Sequence, residues 1–313
     1  MSATTTPDDK VAAVVVTFQP DLDRLSALLD ATLPQVEHIY IVDNGDGKML
    51  QALLPGRQRT SLIALGENRG VGAAQNVGAQ AAIGAGTNYI LLLDQDSVPD
   101  PGMVSALRRA LQALGDSGHR VAAVGPRAPS RENPGAFVTF GWFRYRSTAP
   151  AERHPWVFCD LLIASGSLIP ASAFQEVGPM DESLFIDKVD TEWSIRAAAC
   201  GYRLAGVPSA VLKHSVGERT IRVWWFGWKH LPAHHPFRYY YIVRNCILIC
   251  RRPYVGWRWR TADIRQTIGV VFVFGLAASA SWLNLQMMMR GLVDGLRTRS
   301  GPFVAGGSRS HSG

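Results

Sequence analysis

The apolar pattern of this chain changes period several times, and each change marks an element. Val11–Phe18, "VAAVVVTF", is a continuous β-branched apolar run closed by Gln19-Pro20, which predicts a strand buried on both faces. Apolar residues then recur at Leu22, Leu25, Leu28, Leu29 and Leu33, the spacing of a helix. "HIYIVDNGDG" (His38–Gly47) predicts a second strand closing in Asp-Asn-Gly, and Ser61–Leu65 a weaker third. The Ala-rich part of "GENRGVGAAQNVGAQAAIGAG" predicts a helix, and "NYILLLDQD" the next strand. This alternation implies a parallel sheet covered by helices on both faces.

Farther along, "VPDPGMVSALRRALQAL" reads as a turn and an amphipathic helix, and Val121–Pro126 as a strand. Residues 127–158 show no period and are expected to be irregular. "DLLIASGSLIPASAFQEVG" predicts a strand, a break at Ser165-Gly166-Ser167, a short strand and a helix. Another helix is expected from about Val189 to Gly201, with Glu192 in its first turn and Asp190 where an N-cap would sit. "YRLAGVPSAVLKHSVG" then adds one or two strands ending at His214.

The polar positions sharpen this picture. Ligands of such sheets gather beyond the carboxyl ends of the strands, where Thr17, Asp43, Asn44, Asn68 and Asp94–Asp96 fall. In "LLLDQDS", strand alternation would set Asp94 and Asp96 on one side and Gln95 on the other. Two carboxylates so close call for a cation or for shared protons. Hard oxygen donors suit a divalent metal that keeps positions open for substrate phosphates; alone, the same residues suit a turn. The segment "ENRGVGAAQNVGAQ" lacks both G-x-G-x-x-G and G-K-[ST], which argues against dinucleotide and Walker-type loops. Its glycines are expected to let a helix start approach a ligand, with Asn68 and Asn76 offering amides.

Composition allows a large core, with 47% hydrophobic residues, 9 Trp and 12 Phe in 313. The four cysteines lack zinc-type spacing, and no charged segment precedes the first apolar run, so the chain is expected to stay in the cytoplasm. Charge is uneven: residues 213–313 hold 15 Lys/Arg and 3 Asp/Glu, whereas residues 1–212 hold 17 and 22. Trp224, Trp225, Trp228, Trp257 and Trp259 interleave with this basic stretch, a mixture suited to an anionic membrane surface. Stacking on single-stranded nucleic acid is the competing reading. It is set aside because 24 uncharged residues follow, Gln266–Met289, between Arg265 and Arg290. They are long enough to span a bilayer, but Gly269, Gly275, Ser279, Ser281, Asn284 and Gln286 favour an interfacial helix. The expected divisions are a flexible 1–9, an α/β domain over 10–220, a basic Trp-rich helical membrane-associating region over 221–300 and a disordered tail over 301–313.

"VVVTFQP", "IVDNG", "ENRGVGAAQNVG", "LLLDQDS", "SGSLIP", "FIDKVDTEWSIRAAACGY" and "LKHSVG" stand in the order seen in inverting GT-A glycosyltransferases of family 2. Asp-Gln-Asp-Ser and the "RYYYIVRN" segment, Arg238–Asn245, resemble the rhamnosyltransferase branch. The resemblance covers roughly residues 10–250. It implies a Rossmann-like nucleotide-sugar-binding fold. By it, Thr17 and Asp43 hold the base and ribose, and Asn68, Asn76, Asp94 and Gln95 line the donor pocket. Asp94, Asp96 and His214 would hold Mg²⁺ or Mn²⁺, Asp190 would be the catalytic base, and Ser167, Glu192 and Trp193 would meet the acceptor. Val189 stands where some relatives carry a second Asp, so the resemblance implies no carboxylate pair there and leaves open whether Asp187 substitutes.

The activity so implied is metal-dependent transfer of L-rhamnose from dTDP-L-rhamnose to a lipid-linked or cell-surface polysaccharide, at the cytoplasmic face of the cell membrane. The loop over 127–158 would face the acceptor. A UDP-hexose donor on the same fold, or a non-catalytic membrane-bound glycan-binding scaffold, are the alternatives.

Overall fold

A computed structural model describes residues 10–129, 135–148, 154–214, 219–224, 228–277 and 281–304. Strand β1 (Val11–Thr17) is buried along nearly its whole length. Asp21 caps α1 (Leu22–Thr32), its side chain accepting from the Asp23 and Arg24 N–H groups, and the predicted stripe of Leu25, Leu28 and Leu29 faces inward. Next come β2 (His38–Asp43), β3 (Thr60–Ala64), α2 (Val71–Gly84) and β4 (Tyr89–Asp94). β1 pairs in parallel with β2 and with β4, setting Thr17 beside Asp43 and Val16 beside Asp94. Three strands therefore end level, and their polar termini share one edge.

The chain continues through β5 (Ser97–Pro99), α3 (Met103–Asp116), β6 (Val121–Arg127), β7 (Phe137–Phe140), β8 (Tyr145–Thr148), β9 (Val157–Cys159), β10 (Leu168–Pro170), α4 (Ala171–Val177), α5 (Val189–Ala199) and β11 (Arg203–His214). The sheet order is β3-β2-β1-β4-β10-β6-β11-β5, with β9 added on β11. β10 enters antiparallel between β4 and β6, and β5 and β9 pair antiparallel with β11, so the parallel arrangement expected from the sequence holds for β3, β2, β1 and β4 and again for β6 and β11. Successive β1 residues serve opposite cores: Ala12 and Val14 lie in one cluster, Val11, Ala13 and Val15 in the other.

Residues 127–158 are more regular than expected. β7 and β8 form an antiparallel hairpin closed by the Gly141 N–H on the Arg144 carbonyl (2.8 Å). Its outward side chains break the alternation that would reveal it in the sequence. The strand expected at Asp160–Ala164 lies earlier, at β9.

The C-terminal region departs most from expectation. β12 (Arg219–Trp224) and β13 (Trp228–Ala233) form a hairpin that straddles the expected boundary at 220. α6 (Pro236–Cys250), α7 (Trp257–Val270) and α8 (Ser281–Leu296) follow. The uncharged stretch over 266–289 is not one helix, because α7 gives way to a π-helical segment at Val271–Ala277. No helix among the described residues is long and apolar enough to cross a membrane. α8 lies so close to α6 that a Cβ on Gly291 would come within 2.4 Å of the Tyr240 carbonyl oxygen. Residues 301–304 are held rather than loose: the Phe303 N–H donates to the Tyr241 hydroxyl (2.7 Å) and its ring meets Tyr240. The terminal segments expected to be flexible, 1–9 and the remainder of the tail from 305, lie outside the described residues.

These helices grip one loop of the α/β domain. Fully buried Asn245 donates its amide to the carbonyls of Leu184 (3.0 Å), Ile186 (2.8 Å) and Asp187 (2.9 Å). Buried Arg244 donates to Leu184 (2.9 Å) and to Gly301 (2.5 Å). Phe185, Asp187 and Lys188 all take positive φ, at 65°, 63° and 62°. Such non-glycine backbone costs on the order of 1 kcal/mol or more per residue and persists only where surrounding contacts over-determine it. Asn245→Ala is expected to destabilise the fold by about 2 kcal/mol, since the half-buried Ile186 and Asp187 carbonyls lose this donor and Leu184 keeps only that of Arg244. Urea unfolding followed by tryptophan fluorescence measures this; a loss within about 0.5 kcal/mol of zero would show that the amide does not hold the loop.

Candidate active site

The ends of β1 and β2 build the first part of the site. The Thr17 hydroxyl, fully buried, donates to Asp43 Oδ1 (2.8 Å), and Asp43 Oδ2 accepts from the Gly47 N–H (2.9 Å). Asp43 is thereby fixed at the wall of a cavity of about 280 Å³, lined also by Phe18, Pro20, Asp46 and Met49. Gln95 reaches the same edge by accepting from the Phe18 N–H (2.8 Å). A planar base and a ribose would find here an apolar slot beside a fixed carboxylate.

The glycine-rich segment does something other than approach a ligand. A Cβ on Gly70 (φ +90°) would meet the Phe185 carbonyl oxygen at 2.5 Å, so the glycine lets α2 start against the strained loop. Asn68 is exposed and turns its Oδ1 to the Gly70 N–H (3.0 Å), and buried Asn44 accepts from the Arg69 N–H (2.8 Å). Asn76 does not line the donor side. It is buried and spends its amide on the Met180 carbonyl (3.0 Å), Glu182 (2.9 Å) and the Met180 N–H (2.7 Å).

Asp94 closes β4, but Gln95 and Asp96 form a turn into β5. Strand alternation therefore does not set the relation of Asp94 to Asp96. Both are half-buried at the strand edge. The backbone of His214 pairs with Ser97, next to Asp96, while its side chain lies outside the described residues. Among the described residues no group of three or more His, Cys, Asp and Glu forms a metal site. The donor chemistry still fits a hard divalent cation: two partly exposed carboxylates at a sheet edge, with remaining coordination left for a diphosphate.

Asp190 lies in the first turn of α5 but is not its N-cap, a place taken by Lys188 in left-handed conformation. Its carboxylate accepts from the Thr191 N–H (2.7 Å) and the Ala164 N–H (3.3 Å). Burial pushes its pKa up, Asp187 adds to the rise, and the two N–H donors oppose it. A carboxylate so raised is a stronger base than an ordinary Asp. The next residue, Ser165, accepts from the Asp94 N–H (3.0 Å) and donates to Ser97 (2.8 Å). Neighbouring residues thus tie the acidic turn to Asp190.

Three expected acceptor residues are internal. Ser167 donates to the Ile163 carbonyl (2.6 Å), and Glu192 is paired with Arg196 (2.8 Å) and Tyr254. Trp193 stacks on Phe174 and donates to the Gly178 carbonyl (2.9 Å). All three are at least 97% buried and their polar atoms are engaged within the fold. Asp187 is held by Arg238 (2.7 Å) and cannot substitute as a free second carboxylate. Residues the sequence reading passed over are Ser165, visible only as part of a Ser-Gly-Ser break, and Lys188 and Asp263, whose ion pair has no local signature.

The fold is GT-A-like, with an Asp43-walled cavity and the Asp94–Asp96 turn at one sheet edge, and the half-buried Asp190 carboxylate tied to that turn through Ala164 and Ser165. The sequence matches the model of glycosyl transferase family 2 over residues 13–160. It is 30% identical to a dTDP-rhamnosyl transferase RfbF of Shigella flexneri, covering 79% of this chain and 82% of that protein. It is 28% identical to an N-acetylglucosaminyl-diphospho-decaprenol L-rhamnosyltransferase of Mycobacterium tuberculosis, covering 83% and 89%. In structure it is similar to GalNAc-T7 with UDP, GalNAc and Mn²⁺, at TM-score 0.57 and 14% identity, covering 87% of this chain and 57% of that one. It is also similar to S. aureus TarS 1–349 in complex with UDP-GlcNAc, at TM-score 0.56 and 14% identity, covering 93% and 81%. The chain belongs to glycosyl transferase family 2, in its rhamnosyltransferase branch, and is a glycosyltransferase.

Asp190→Asn is expected to abolish transfer while raising thermal stability at neutral pH. The sign follows from linkage: a pKa raised in the fold gives stability that is present below the unfolded value and lost as pH rises through the folded one. The asparagine avoids that loss, so its advantage should vanish in acid. Melting curves from pH 4 to pH 8 beside an activity assay measure both; full activity in the variant would remove Asp190 from its role.

Proposed function

We propose that this enzyme transfers L-rhamnose from dTDP-L-rhamnose to a hydroxyl of a lipid-linked or cell-surface glycan, with inversion at the anomeric carbon. The observation that carries the reading is the Ala164–Ser165 link, which joins the acidic turn beside the nucleotide pocket to a carboxylate of raised basicity. The donor sugar follows from the two rhamnosyltransferase relatives, one of which names a lipid-linked acceptor.

In this reading Thr17 and Asp43 fix the base and ribose, with Gln95 at the pocket edge. Asp94, Asp96 and His214 would hold a divalent cation, which when bound supplies charge neutralisation at the diphosphate. Asp190 removes the proton of the acceptor hydroxyl as that oxygen bonds to the anomeric carbon. The bond to the diphosphate breaks at the opposite face, and the nucleoside diphosphate leaves with the bonding pair. No covalent sugar–enzyme intermediate forms, because one displacement completes the transfer.

We assign the work to the cytoplasmic face of the cell membrane. Trp142, Phe143 and Trp257 are exposed at 61%, 60% and 50% and touch edge to face, with the Arg258 guanidinium over two of the rings. Aromatic rings beside a cation suit the headgroup layer of an anionic bilayer. Sedimentation with vesicles containing anionic lipid should retain the wild type and lose most of it on combined Trp142→Ser and Phe143→Ser. Equal retention of both proteins would refute this contact.

The donor is tested by nucleoside-diphosphate release from a panel of dTDP-, UDP- and GDP-sugars, each with Mn²⁺ and with EDTA. Turnover of dTDP-rhamnose that EDTA abolishes is expected, falling about 100-fold or more in Asp96→Ala. Turnover of a UDP-hexose instead would replace the donor and keep the mechanism.

A further inference from the structure

We infer that Asp263 on α7 is a positioning residue for Asp190, acting through Lys188, whose left-handed backbone aims the first turn of α5. This role rests on the reading of Asp190 as base and comes from outside residues 13–160, the segment that the family model matches. Lys188 caps α5 at φ 62° and ψ 13° without a side-chain cap bond, and Asp190 follows two residues later. The backbone of the cap sets the direction in which the helix starts, and so the place to which its first turn carries the carboxylate. Glycine, and at times Asn or Asp, visits this region routinely; lysine does not. A lysine there needs a hold from elsewhere.

The ion pair supplies that hold. The Lys188 ammonium meets Asp263 Oδ1, the two side chains being 15% and 1% exposed, and lies 5.9 Å from the centre of the Trp259 ring. The Tyr145 hydroxyl donates to the same carboxylate oxygen (2.9 Å). Away from water such a pair is little screened, so Lys188 is fixed at its tip. Docking of α7 alone does not account for the charge, because packed apolar residues would dock a helix at lower cost. Asp263 Oδ2 is buried without a hydrogen-bond partner, as are Thr267 Oγ1 and Trp259 Nε1 one turn to either side. A buried pair that leaves these atoms unmet is explained by the one backbone conformation it specifies. The other ionisable groups facing the pair are Tyr145 on β8 and Cys246 and Cys250 on α6, while Asp187, held by Arg238, faces Asp190.

The experiment measures transfer and melting of the full-length protein carrying Asp263→Asn, which keeps the shape of the side chain and an acceptor for Tyr145. The kcat should fall between about ten- and a hundredfold while the Kd for dTDP stays that of the wild type. Adding Lys188→Gly should restore most of kcat, because glycine takes positive φ unaided. Adding Lys188→Met instead, which removes the charge and keeps a Cβ, should restore none of it. Melting needs no substrate: the stability that Asp190→Asn gains at neutral pH should shrink in the Asp263→Asn background, return with Lys188→Gly and not return with Lys188→Met. Unchanged kcat where the wild type is active, an unchanged Asp190→Asn gain, or rescue by methionine as full as by glycine, each overturns the assignment. The expected melting pattern in a protein that releases nothing from any nucleotide sugar overturns the reaction reading and leaves the positioning of Asp190 standing.

Discussion

The grip of α6 on the loop before α5 is the contact on which this site depends. Asp190 can act only where the chain delivers it, and it is delivered by a backbone that runs through positive φ at Phe185, Asp187 and Lys188. Nothing in that local sequence favours the conformation, since none of the three residues is glycine. The compensation comes from more than fifty residues away, where Asn245 satisfies three of the loop's carbonyls and Arg244 adds a second bond to one of them, that of Leu184. Arg238 on Asp187, Asp263 on Lys188 and the Phe185–Tyr241 stack (5.3 Å) complete the hold.

The same loop is gripped from the other side by α2. The Val71 N–H donates to the Phe185 carbonyl (2.8 Å), and Gly70 permits that approach. The sheet edge that carries Asp94 and the Asp190 carboxylate are thus connected through two routes, one by way of α2 and one by way of Ser165. Rigidity of this kind suits a displacement in which the base must meet a hydroxyl within hydrogen-bond reach at the moment of attack.

Much of the first half of the fold was legible in the sequence because each element has its own clean period. β1, α1, β2 and β4 fall where the apolar pattern puts them, and Thr17, Asp43 and Asp94 end on one edge because parallel strands in register must end together. Asn76 and Glu192 were misjudged for a shared reason. A polar residue near a motif looks like a ligand, and only three-dimensional packing shows that Asn76 is committed to Met180 and Glu192 to Arg196. The β7–β8 hairpin escaped because its strands are only four residues long and exposed Trp142 and Phe143 fill the turn where polar turn residues would mark it.

The charge asymmetry is only partly a matter of the outer surface. A count of Lys and Arg cannot separate cations that face outward from those that face the protein. Here Arg238 holds Asp187, Arg252 holds Asp181, Arg244 holds backbone carbonyls and Arg251 meets the end of α8. Two of these four arginines, Arg238 and Arg252, neutralise acids of the loop before α5, and the other two satisfy backbone carbonyls. Among the described residues, Arg258 and Arg265 on α7, Arg290 on α8 and Arg297 just beyond it face outward. An anionic surface would therefore meet a few cations set among exposed aromatic rings, with hydrophobic contact carrying more of the attraction than the net charge implies.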